Sequence, residues 1–283
     1  MIIVTGGAGF IGSRLIKELN NRGRTDIVLV DDLTDGTKIN NIKDLEIEDY
    51  IDKEHFIEIL SVLADNKMVD EVYHMGAESA TTCVDGKYLM SNNFQYSCNI
   101  MNICATNDIP LVYASSASVY GDSTTFNDLS DDYQPNNMYG FSKLQADKYA
   151  RKLMKKAKII GCRYFNVYSD GEFETHKEGM KSPTAWMKEQ YDKYGVVELF
   201  DNSDKFKRDF VHVDEVVDIT LNLMSISKSG IYNVGTGKAR SFVDMAKTLD
   251  ENIDIKYIPM PKSLSEHYQS YTQADMVSYN NIK

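Results

Sequence analysis

The sequence predicts an α/β protein built on a doubly wound parallel sheet, and three observations predict it. Ile2, Ile3 and Val4 open the chain as a β-branched apolar run, which is typical of a buried strand. This run leads directly into a glycine-rich turn at residues 6–12. Strand-like apolar runs then alternate with segments of helical periodicity as far as about residue 168, a pattern that produces a parallel sheet covered by helices.

The first strand and its turn indicate a dinucleotide-binding site. Gly6, Gly9 and Gly12 can supply a tight turn, a close approach of the backbone to a pyrophosphate, and close packing of the following helix. An ordinary glycine-rich turn is the alternative if this triplet is read alone. A second apolar run, residues 27–30, ends at Asp31 about 20 residues further on, where an acidic side chain meets an adenosine ribose hydroxyl. Together these features predict a Rossmann-type domain.

Composition and charge limit the class of protein. The chain has 283 residues, of which 42% are hydrophobic and 26% charged, so a globular protein with a proper core is expected. A net charge of -11 argues against general affinity for nucleic acid or for anionic membrane surfaces. No apolar run is long enough to span a bilayer, and the N-terminus lacks a basic leader. Four cysteines without C-x-x-C spacing suggest reduced structural thiols, no metal site and a cytoplasmic location.

The elements that follow the first turn can be assigned from periodicity. The first helix should end near Gly23, and His74 should be a structural histidine at the end of a strand. Lys38 lies in a polar loop and is either solvated or placed to accommodate a 2′-phosphate, which would favour NADP over NAD. The predicted helices cover residues 10–22, 53–66, 85–107 and 138–153, and the predicted strands cover residues 69–74 and 111–115.

A serine, a tyrosine and a lysine carry the predicted chemistry. The strand at residues 111–115 runs into a group of hydroxyl residues that includes Ser116, and these can be simple turn residues. Tyr139 and Lys143 stand at i and i+4 on the next helix, so they share a face. An ammonium beside a phenol stabilises the phenolate, which can exchange a proton with a substrate alcohol. A Y-x-x-x-K pair also occurs by chance, but its place after a strand-end serine and a glycine turn favours a catalytic role.

These motifs resemble a known family. TGGAGFIG, Asp31, SSASVYG at residues 115–121 and Tyr139-x-x-x-Lys143 look like the extended short-chain dehydrogenases/reductases, which include nucleotide-sugar epimerases and dehydratases. Longer stretches resemble the branch of that family that epimerises C6 of an ADP-linked heptose. They are DGTK at 35–38, DGKY at 85–88, NNFQYS at 92–97, RYFNVY at 163–168, FKRDFVHV at 206–213 and YTQAD at 271–275.

The resemblance implies a set of site residues. The implied catalytic residues are Ser116, Tyr139, Lys143 and, as a second acid or base, Lys177. The implied cofactor residues for NADP, with NAD as the other possibility, are Gly6, Gly9, Phe10, Ile11, Gly12, Asp31, Asp32, Lys38, Lys53, Met75, Gly76, Ala77, Glu78, Ser79, Asn92, Tyr139, Lys143, Val167 and Lys177. The implied substrate residues are Ser116, Asn166, Gly179, Trp186, Phe200, Asp201, Asn202, Ser203, Arg208 and Tyr268.

The later part of the chain is predicted to form a smaller substrate-binding domain. Strand and helix stop alternating between about residues 169 and 209, and residues 210–213 then look like a return to the main sheet, with Asp214 as a helix cap. We therefore assign residues 1–168 and 210–235 to the dinucleotide-binding domain, and residues 169–209 and 236–283 to the substrate-binding domain. Such an arrangement fits a ligand held in the cleft between the domains, and the resemblance implies that this ligand is a small nucleotide sugar.

The family pattern is not followed everywhere, and the differences lie on the substrate side. Gly179 and Trp186 stand where the family has a serine and a histidine, Asp201 and Asn202 replace Glu-Gly, and Cys83 replaces a glutamate.

Three functions remain open at this stage. The first is an ADP-heptose-like 6-epimerase, which the resemblance implies to be a homo-oligomer. The second is another nucleotide-sugar 4-epimerase or 4,6-dehydratase, although Ala117 and Ser118 occupy the places of the dehydratase acid and base. The third is a non-catalytic NADP-binding regulator.

Overall fold

A computed structural model describes residues 1–170, 181–226, 228–262 and 268–283 of the chain. Its main sheet has seven strands, in the spatial order β10-β6-β5-β4-β1-β2-β3, and every neighbouring pair is parallel. These strands are β1 (Ile2–Thr5), β2 (Ile27–Asp31), β3 (Asp49–Asp52), β4 (Glu71–His74), β5 (Leu111–Ser116), β6 (Ile159–Tyr164) and β10 (Gly230–Val234). The predicted doubly wound, Rossmann-type fold is confirmed.

Helices cover both faces of this sheet and bury two separate cores. Ile2 belongs to one core and Ile3 to the other, because successive side chains of a strand point to opposite faces. The first core also contains Leu15 and Val216, and the second contains Phe56 and Ile100. The helices are α1 (Phe10–Asn21), α2 (Ile39–Ile42), α3 (Lys53–Asp65), α4 (Gly86–Leu89), α5 (Tyr96–Thr106), α6 (Met138–Leu153), α7 (Pro183–Tyr194), α8 (Val213–Ser225), α9 (Phe242–Ala246) and α10 (Val277–Asn280).

The strand order places a ligand crevice beside β1. From β1 the chain builds the sheet outward to β2 and β3, and it then crosses to β4 on the other side. The carboxyl ends of β1 and β4 therefore border the point where the strand order reverses, which is where open α/β sheets bind their ligands.

A second unit is built from two small sheets and its own core. β7 (Asn166–Tyr168), β9 (Lys207–His212) and β11 (Ala239–Ser241) form a three-stranded sheet, with β9 in the middle. β8 (Val196–Phe200) and β12 (Asp254–Ile258) form a parallel pair. The core of this unit contains Met187, Leu199, Phe210, Phe242 and Met245, which come from α7, β8, β9 and α9.

The prediction that residues 210–213 return to the main sheet is wrong. Phe210 pairs with Asn166 and lies in the core of the smaller unit. Alternating apolar residues predict a buried strand, but they do not say which strand is its partner. Asp214 is also not the cap of the following helix, because the side chain of His212 accepts the hydrogen bond from the backbone nitrogen of Asp214, at 3.3 Å.

The predicted single helix at residues 85–107 is interrupted. A π-helical segment, Met90–Gln95, separates α4 from α5. The buried side-chain amide of Asn93 lies in this segment and hydrogen-bonds the backbone of Glu78, on the loop after β4. An inserted residue of this kind leaves the apolar periodicity nearly unchanged, so the pattern does not reveal it.

All four cysteines are free thiols, and three of them, Cys98, Cys104 and Cys162, are buried. Within the described ranges no helix combines the length and the apolar character needed to cross a membrane.

Candidate active site

The glycine turn between β1 and α1 forms a cradle lined by backbone. Gly6 has a φ of +64°, and a Cβ atom on it would lie 2.6 Å from the backbone nitrogen of Gly76. A Cβ atom on Gly12 would lie 2.1 Å from the carbonyl oxygen of Gly6. Gly9 precedes α1 without a side-chain cap, and the first turn of α1 carries no acidic residue. A helix start of this kind suits a phosphate group, and the predicted residues Phe10 and Ile11 form its first turn.

Asp31 ends β2 with both carboxylate oxygens already engaged. Its Oδ2 accepts a hydrogen bond from the backbone nitrogen of Ala8, at 2.8 Å. Its Oδ1 accepts from Lys38 Nζ and from the backbone nitrogen of Asp32, both at 2.8 Å. The carboxylate therefore fixes the glycine turn from the β2 side.

Two lysines lie beside this carboxylate. Lys38 Nζ also donates to the carbonyl oxygen of Asp32, at 2.7 Å, and Lys53 Nζ lies 3.4 Å from Asp32 Oδ2. Hydrogen bonds from Thr34, aided by Lys53, hold the pKa of Asp32 at about 2. Asp31, Asp32, Lys38 and Lys53 thus form one charged cluster next to the glycine turn.

The loop after β4 faces the glycine turn. The backbone nitrogen of Met75 donates to the carbonyl oxygen of Thr5 at 3.0 Å, and that of Gly76 donates to Thr5 Oγ1 at 3.2 Å. Asn92, in the π-helical segment, donates from Nδ2 to Asn93 Oδ1 at 3.0 Å. The remaining predicted members of this loop, Ala77, Glu78 and Ser79, follow directly in the chain, and Ser79 is exposed.

The turn after β5 and the start of α6 bring Ser116 and Tyr139 together. Asn137 caps α6 by accepting a hydrogen bond from the backbone nitrogen of Gly140, at 2.8 Å. A Cβ atom on Gly140 would lie 2.5 Å from the carbonyl oxygen of Ser118, so glycine allows α6 to pack closely on this turn. Ser116 and Tyr139 are both buried, with 9% of each residue exposed, so each can still meet a ligand.

The protonation of these groups follows from their burial. Burial raises the pKa of the Tyr139 phenol, a hydrogen bond with Ser116 opposes that rise, and the charge of Glu78 adds to it. Burial lowers the pKa of Lys143 to about 8, and the charge of Asp147 opposes that fall. Lys143 Nζ donates to the carbonyl oxygen of Ala114 at 2.7 Å and lies 6.0 Å from the centre of the Tyr139 ring. The amine is held on β5, one helical turn from the phenol.

Among the predicted substrate residues, Arg208 is a buried guanidinium without an acidic partner in the part of the chain that the structure describes. Its Nη1 donates to the carbonyl oxygen of Lys207, at 3.1 Å. Its guanidinium carbon lies 5.1 Å from the ring centre of Tyr268 and 5.8 Å from that of Phe242. Desolvation lowers the pKa of Arg208, and Tyr268 opposes that fall. A cation buried in this way is a candidate site for an anionic ligand.

The structure describes all the other predicted substrate and cofactor residues except two. Asn166 and Val167 are half-buried on β7, and Trp186 is 39% exposed on α7. Phe200 ends β8, and the turn that follows is closed by Ser203, whose hydroxyl donates to the carbonyl oxygen of Phe200 at 2.5 Å. Asp201 and Asn202 are exposed in this turn. Lys177 and Gly179 lie outside the described residues.

Sequence reasoning missed three residues around the site. Thr5 and Asn93 hold the loop after β4, and each is adjacent in sequence to a predicted residue, Gly6 or Asn92. Arg240 stands directly opposite Arg208 in the antiparallel pair of β11 and β9. Only the strand register reveals this second arginine, because nothing in the local sequence marks it.

Comparison with known proteins gives consistent results. A family model described as the NAD dependent epimerase/dehydratase family matches residues 2–235. ADP-L-glycero-D-manno-heptose-6-epimerase of Alkalilimnicola ehrlichii is 47% identical over 287 residues, covering 98% of this chain and 89% of the relative. The crystal structure of Helicobacter pylori ADP-L-glycero-D-manno-heptose-6-epimerase is 29% identical, with a TM-score of 0.88, covering 99% of this chain and 89% of that one. MoeE5, in complex with UDP-glucuronic acid and NAD, is 25% identical with a TM-score of 0.78, covering 99% and 91%.

Proposed function

Because the chain belongs to the NAD dependent epimerase/dehydratase family, we propose that it is a nucleotide-sugar epimerase that inverts C6 of an ADP-heptose-like substrate. The observation that carries this proposal is the meeting of Ser116, Tyr139 and Lys143 at the carboxyl edge of the sheet. The first of these ends β5, and the other two share one face of α6. The 47% identity to the Alkalilimnicola ehrlichii enzyme supports the choice of substrate.

The residues of the glycine turn suit a nicotinamide dinucleotide. The two closest contacts that a Cβ atom would make there, at Gly6 and Gly12, are backbone contacts, so the cradle depends on glycine. A nicotinamide, when bound, accepts a hydride from the carbinol carbon and later returns it. The chain itself is proposed to bind the pyrophosphate at the start of α1 and to contact the rest of the cofactor with Met75, Asn92 and Val167.

We favour NADP over NAD for this site. Both oxygens of Asp31 accept hydrogen bonds within the protein, which leaves the carboxylate poorly placed to accept the pair of ribose hydroxyls of NAD. Lys38 and Lys53 lie beside it and suit a 2′-phosphate. Denaturing the purified protein and identifying the released nucleotide tests this choice. NADP is expected, and NAD alone would contradict it.

Tyr139 and Ser116 are proposed to handle the proton of the substrate carbinol. The phenol is buried at the start of α6 and shares a hydrogen bond with Ser116, so both groups can bind one oxygen. Lys143 supplies a positive charge that favours the phenolate, and the carbonyl oxygen of Ala114 fixes its amine. The product of this first step is a planar ketone at the reacting carbon.

Arg208 and Arg240 are proposed to bind the substrate diphosphate. Like charges directly opposite each other in a strand pair destabilise it unless an anion compensates them. Arg208 is buried, and its Nη1 donates to the carbonyl oxygen of Lys207 at 3.1 Å, while Arg240 donates from Nη2 to the carbonyl oxygen of Phe210 at 3.0 Å. Guanidinium groups bind phosphate oxygens in bidentate fashion. Asn166, Tyr268 and residues 200–203 are proposed to contact the rest of the nucleotide sugar.

Lys177 is proposed as the second proton donor, on the basis of its place in the sequence. Inversion requires the hydride to return to the opposite face of the ketone. In a heptose the reacting carbon is exocyclic, so a rotation of its side chain presents that face and moves the oxygen away from Tyr139. A second acid is then needed on the other side of the pocket.

The Lys177 proposal is tested with Lys177→Met. The variant should still take hydride from one epimer, seen as absorbance of the reduced cofactor, while exchange between the epimers is lost. Normal exchange between epimers in the variant would exclude Lys177 and leave Tyr139 acting on both faces.

The domain limits and the assembly are also proposals. We assign residues 1–168 and 210–235 to cofactor binding and residues 169–209 and 236–283 to substrate binding, although β9 pairs with strands of the smaller unit. A homo-oligomer working in the cytoplasm is proposed from the family resemblance.

A 4-epimerase or a dehydratase acting on another nucleotide sugar is the main alternative, and a non-catalytic regulator is a weaker one. A dehydratase is disfavoured because Ala117 and Ser118 provide neither an acid nor a base after the strand-end serine. Incubating the protein with a panel of nucleotide sugars and reading each carbon by NMR separates these functions. Turnover of any of them would exclude the regulator.

A further inference from the structure

A line of buried polar side chains runs from the glycine turn to the π-helical segment and passes through His74. The site described above does not use this histidine. His74 is 2% exposed at the end of β4, and it contacts one hydroxyl with each ring nitrogen. Thr5 Oγ1 lies 2.6 Å from Nδ1, and Ser97 Oγ lies 2.8 Å from Nε2.

The proton positions along this line follow from counting donors and acceptors. Ser97 donates its hydroxyl proton to the carbonyl oxygen of Asn93, at 2.6 Å, and a carbonyl oxygen can only accept. Ser97 Oγ must therefore accept from His74, so Nε2 carries the proton. The unprotonated Nδ1 then accepts from Thr5 Oγ1, which in turn accepts from the backbone nitrogen of Gly76, at 3.2 Å. Every donor on the line has one acceptor.

The two ends of this line hold the same loop. At one end, Thr5 Oγ1 binds the backbone nitrogen of Gly76. At the other end, Asn93 binds Glu78 twice, with Oδ1 accepting from the backbone nitrogen and Nδ2 donating to the carbonyl oxygen, both at 2.9 Å. The loop between them lies against the glycine turn, because a Cβ atom on Gly6 would meet Gly76 at 2.6 Å.

The line also reaches the catalytic helix. Asn93 Nδ2 lies 3.4 Å from Ser142 Oγ, and Ser142 donates to the carbonyl oxygen of Tyr139 at 2.7 Å. The cofactor loop and the start of α6 are therefore tied to one buried framework.

We propose that His74 is a positioning residue, fixed as the neutral tautomer protonated at Nε2, which joins the Thr5 and Asn93 contacts and so holds the loop after β4 in place for the cofactor. This inference rests on the proposed function, because it assumes that the loop contacts a nicotinamide dinucleotide. Burial, with the charge of Lys143 adding to it, lowers the pKa of His74 to about 3, so the neutral form persists across the working pH range. A buried network of this kind is rigid only when every member is satisfied.

The first test compares two changes at Thr5. Thr5→Val keeps the shape of the side chain and removes the hydroxyl, which leaves both the Gly76 nitrogen and His74 Nδ1 without a partner. Thr5→Ser keeps the hydroxyl. Cofactor-stripped protein is titrated with NADPH and, separately, with NADH, by fluorescence. We expect Thr5→Val to raise the Kd of the tighter-binding nucleotide by about tenfold or more, and Thr5→Ser to recover most of that loss.

Ser229→Ala is the matched control for this test. The Ser229 hydroxyl also bridges two backbone groups, Ala157 and Ile159, but it lies at the opposite end of the sheet from the glycine turn. Its loss should leave the Kd within about twofold of the wild type. Equal losses in Thr5→Val and Thr5→Ser, or no loss in Thr5→Val, would overturn the proposal.

The second test reads the tautomer directly and does not depend on activity. The chain has five histidines, and the signal of His74 in ¹⁵N-labelled wild-type protein is the one that disappears in His74→Gln. Long-range ¹H–¹⁵N correlation should show a protonated Nε2 and an unprotonated Nδ1. A proton on Nδ1 would overturn the proposal. Failure of the wild type to bind either nucleotide would instead contradict the proposed function. The NMR result would still decide which nitrogen of His74 carries the proton.

Discussion

At the scale of single residues, the proposed chemistry depends on the phenol of Tyr139. Tyr139→Phe should lower turnover by about 10²- to 10⁴-fold, because it removes the group that exchanges a proton with the carbinol. Tyr149→Phe, on the same helix, is the control, since its hydroxyl bonds Asn102 on the outer surface and should be dispensable. The measurement is kcat on the preferred nucleotide sugar. Undiminished kcat in Tyr139→Phe would mean that another residue is the base.

The amine of Lys143 predicts how activity depends on pH. Burial lowers its pKa to about 8, so it is cationic below that pH and neutral above it. Since the cation favours the phenolate of Tyr139, kcat should fall as pH rises through about 8. A flat profile between about pH 7 and 9.5 would contradict this role of Lys143.

The same shift predicts an effect on stability. The ordinary pKa of 10.5 applies in the unfolded chain, so between about pH 8 and 10.5 the unfolded chain holds the proton and the folded chain does not. The free energy of unfolding contributed by Lys143 is therefore lowest below pH 8 and rises by roughly 3 kcal/mol over that range. In denaturant titrations, the free energy of unfolding of the wild type should rise relative to that of Lys143→Met between about pH 8 and 10.5. A difference that stays constant with pH would argue against the buried amine.

Local patterns predicted some site residues and could not predict others. Ser116, Tyr139 and Lys143 follow from a strand end and an i, i+4 pair, both of which depend on neighbours in sequence. Arg208 and Tyr268 are far apart in sequence and meet only in the folded chain, so only the family resemblance placed them in one site. Their roles, and that of Lys177, remain predictions.

At the scale of elements, the glycine turn should tolerate no side chain. Gly6→Ala should lower the free energy of unfolding by roughly 1–3 kcal/mol, because of its positive φ and the contact with the backbone of Gly76, and it should weaken cofactor binding. Gly36→Ala is the control, since its Cβ would meet nothing within 4 Å. Thermal or denaturant unfolding checks both variants. Equal stability in the two would show that the turn can move aside.

The strand β9 carries the proposed diphosphate contact. Arg208→Ala should raise KM by about 10- to 100-fold, because a charge-assisted contact to phosphate is lost, while kcat changes little. Arg208→Lys keeps the charge but loses the bidentate geometry, so its KM should rise less. Unchanged affinity in the alanine variant would remove Arg208 from the substrate site.

Two elements show where sequence patterns reach their limit. The helix predicted at residues 85–107 is interrupted by a π-helical segment, which contains Asn93 and its buried side-chain amide. The sequence pattern does not reveal this interruption, because one inserted residue hardly changes the spacing of the apolar residues. The strand containing Phe210 was predicted, but it was assigned to the wrong sheet, because pairing depends on contacts with β7 and β11.

At the scale of the whole molecule, the fold class and the family predicted from the sequence are confirmed. A chain in which strands and helices alternate regularly can adopt only a few sheet topologies, because connections between parallel strands are short and right-handed. This regularity predicts a doubly wound parallel sheet, whereas the order of its seven strands is known only from the structure. The smaller unit lacks it, so its two sheets could not be derived from periodicity alone.

The central claim is that the chain inverts C6 of an ADP-heptose by removing and returning the same hydrogen. The most direct measurement is NMR of one ADP-heptose epimer incubated with the purified protein in D₂O, without added cofactor. We expect a mixture of the two C6 epimers, with protium retained at C6. Deuterium at C6, inversion at another carbon, or an unchanged substrate would contradict the account.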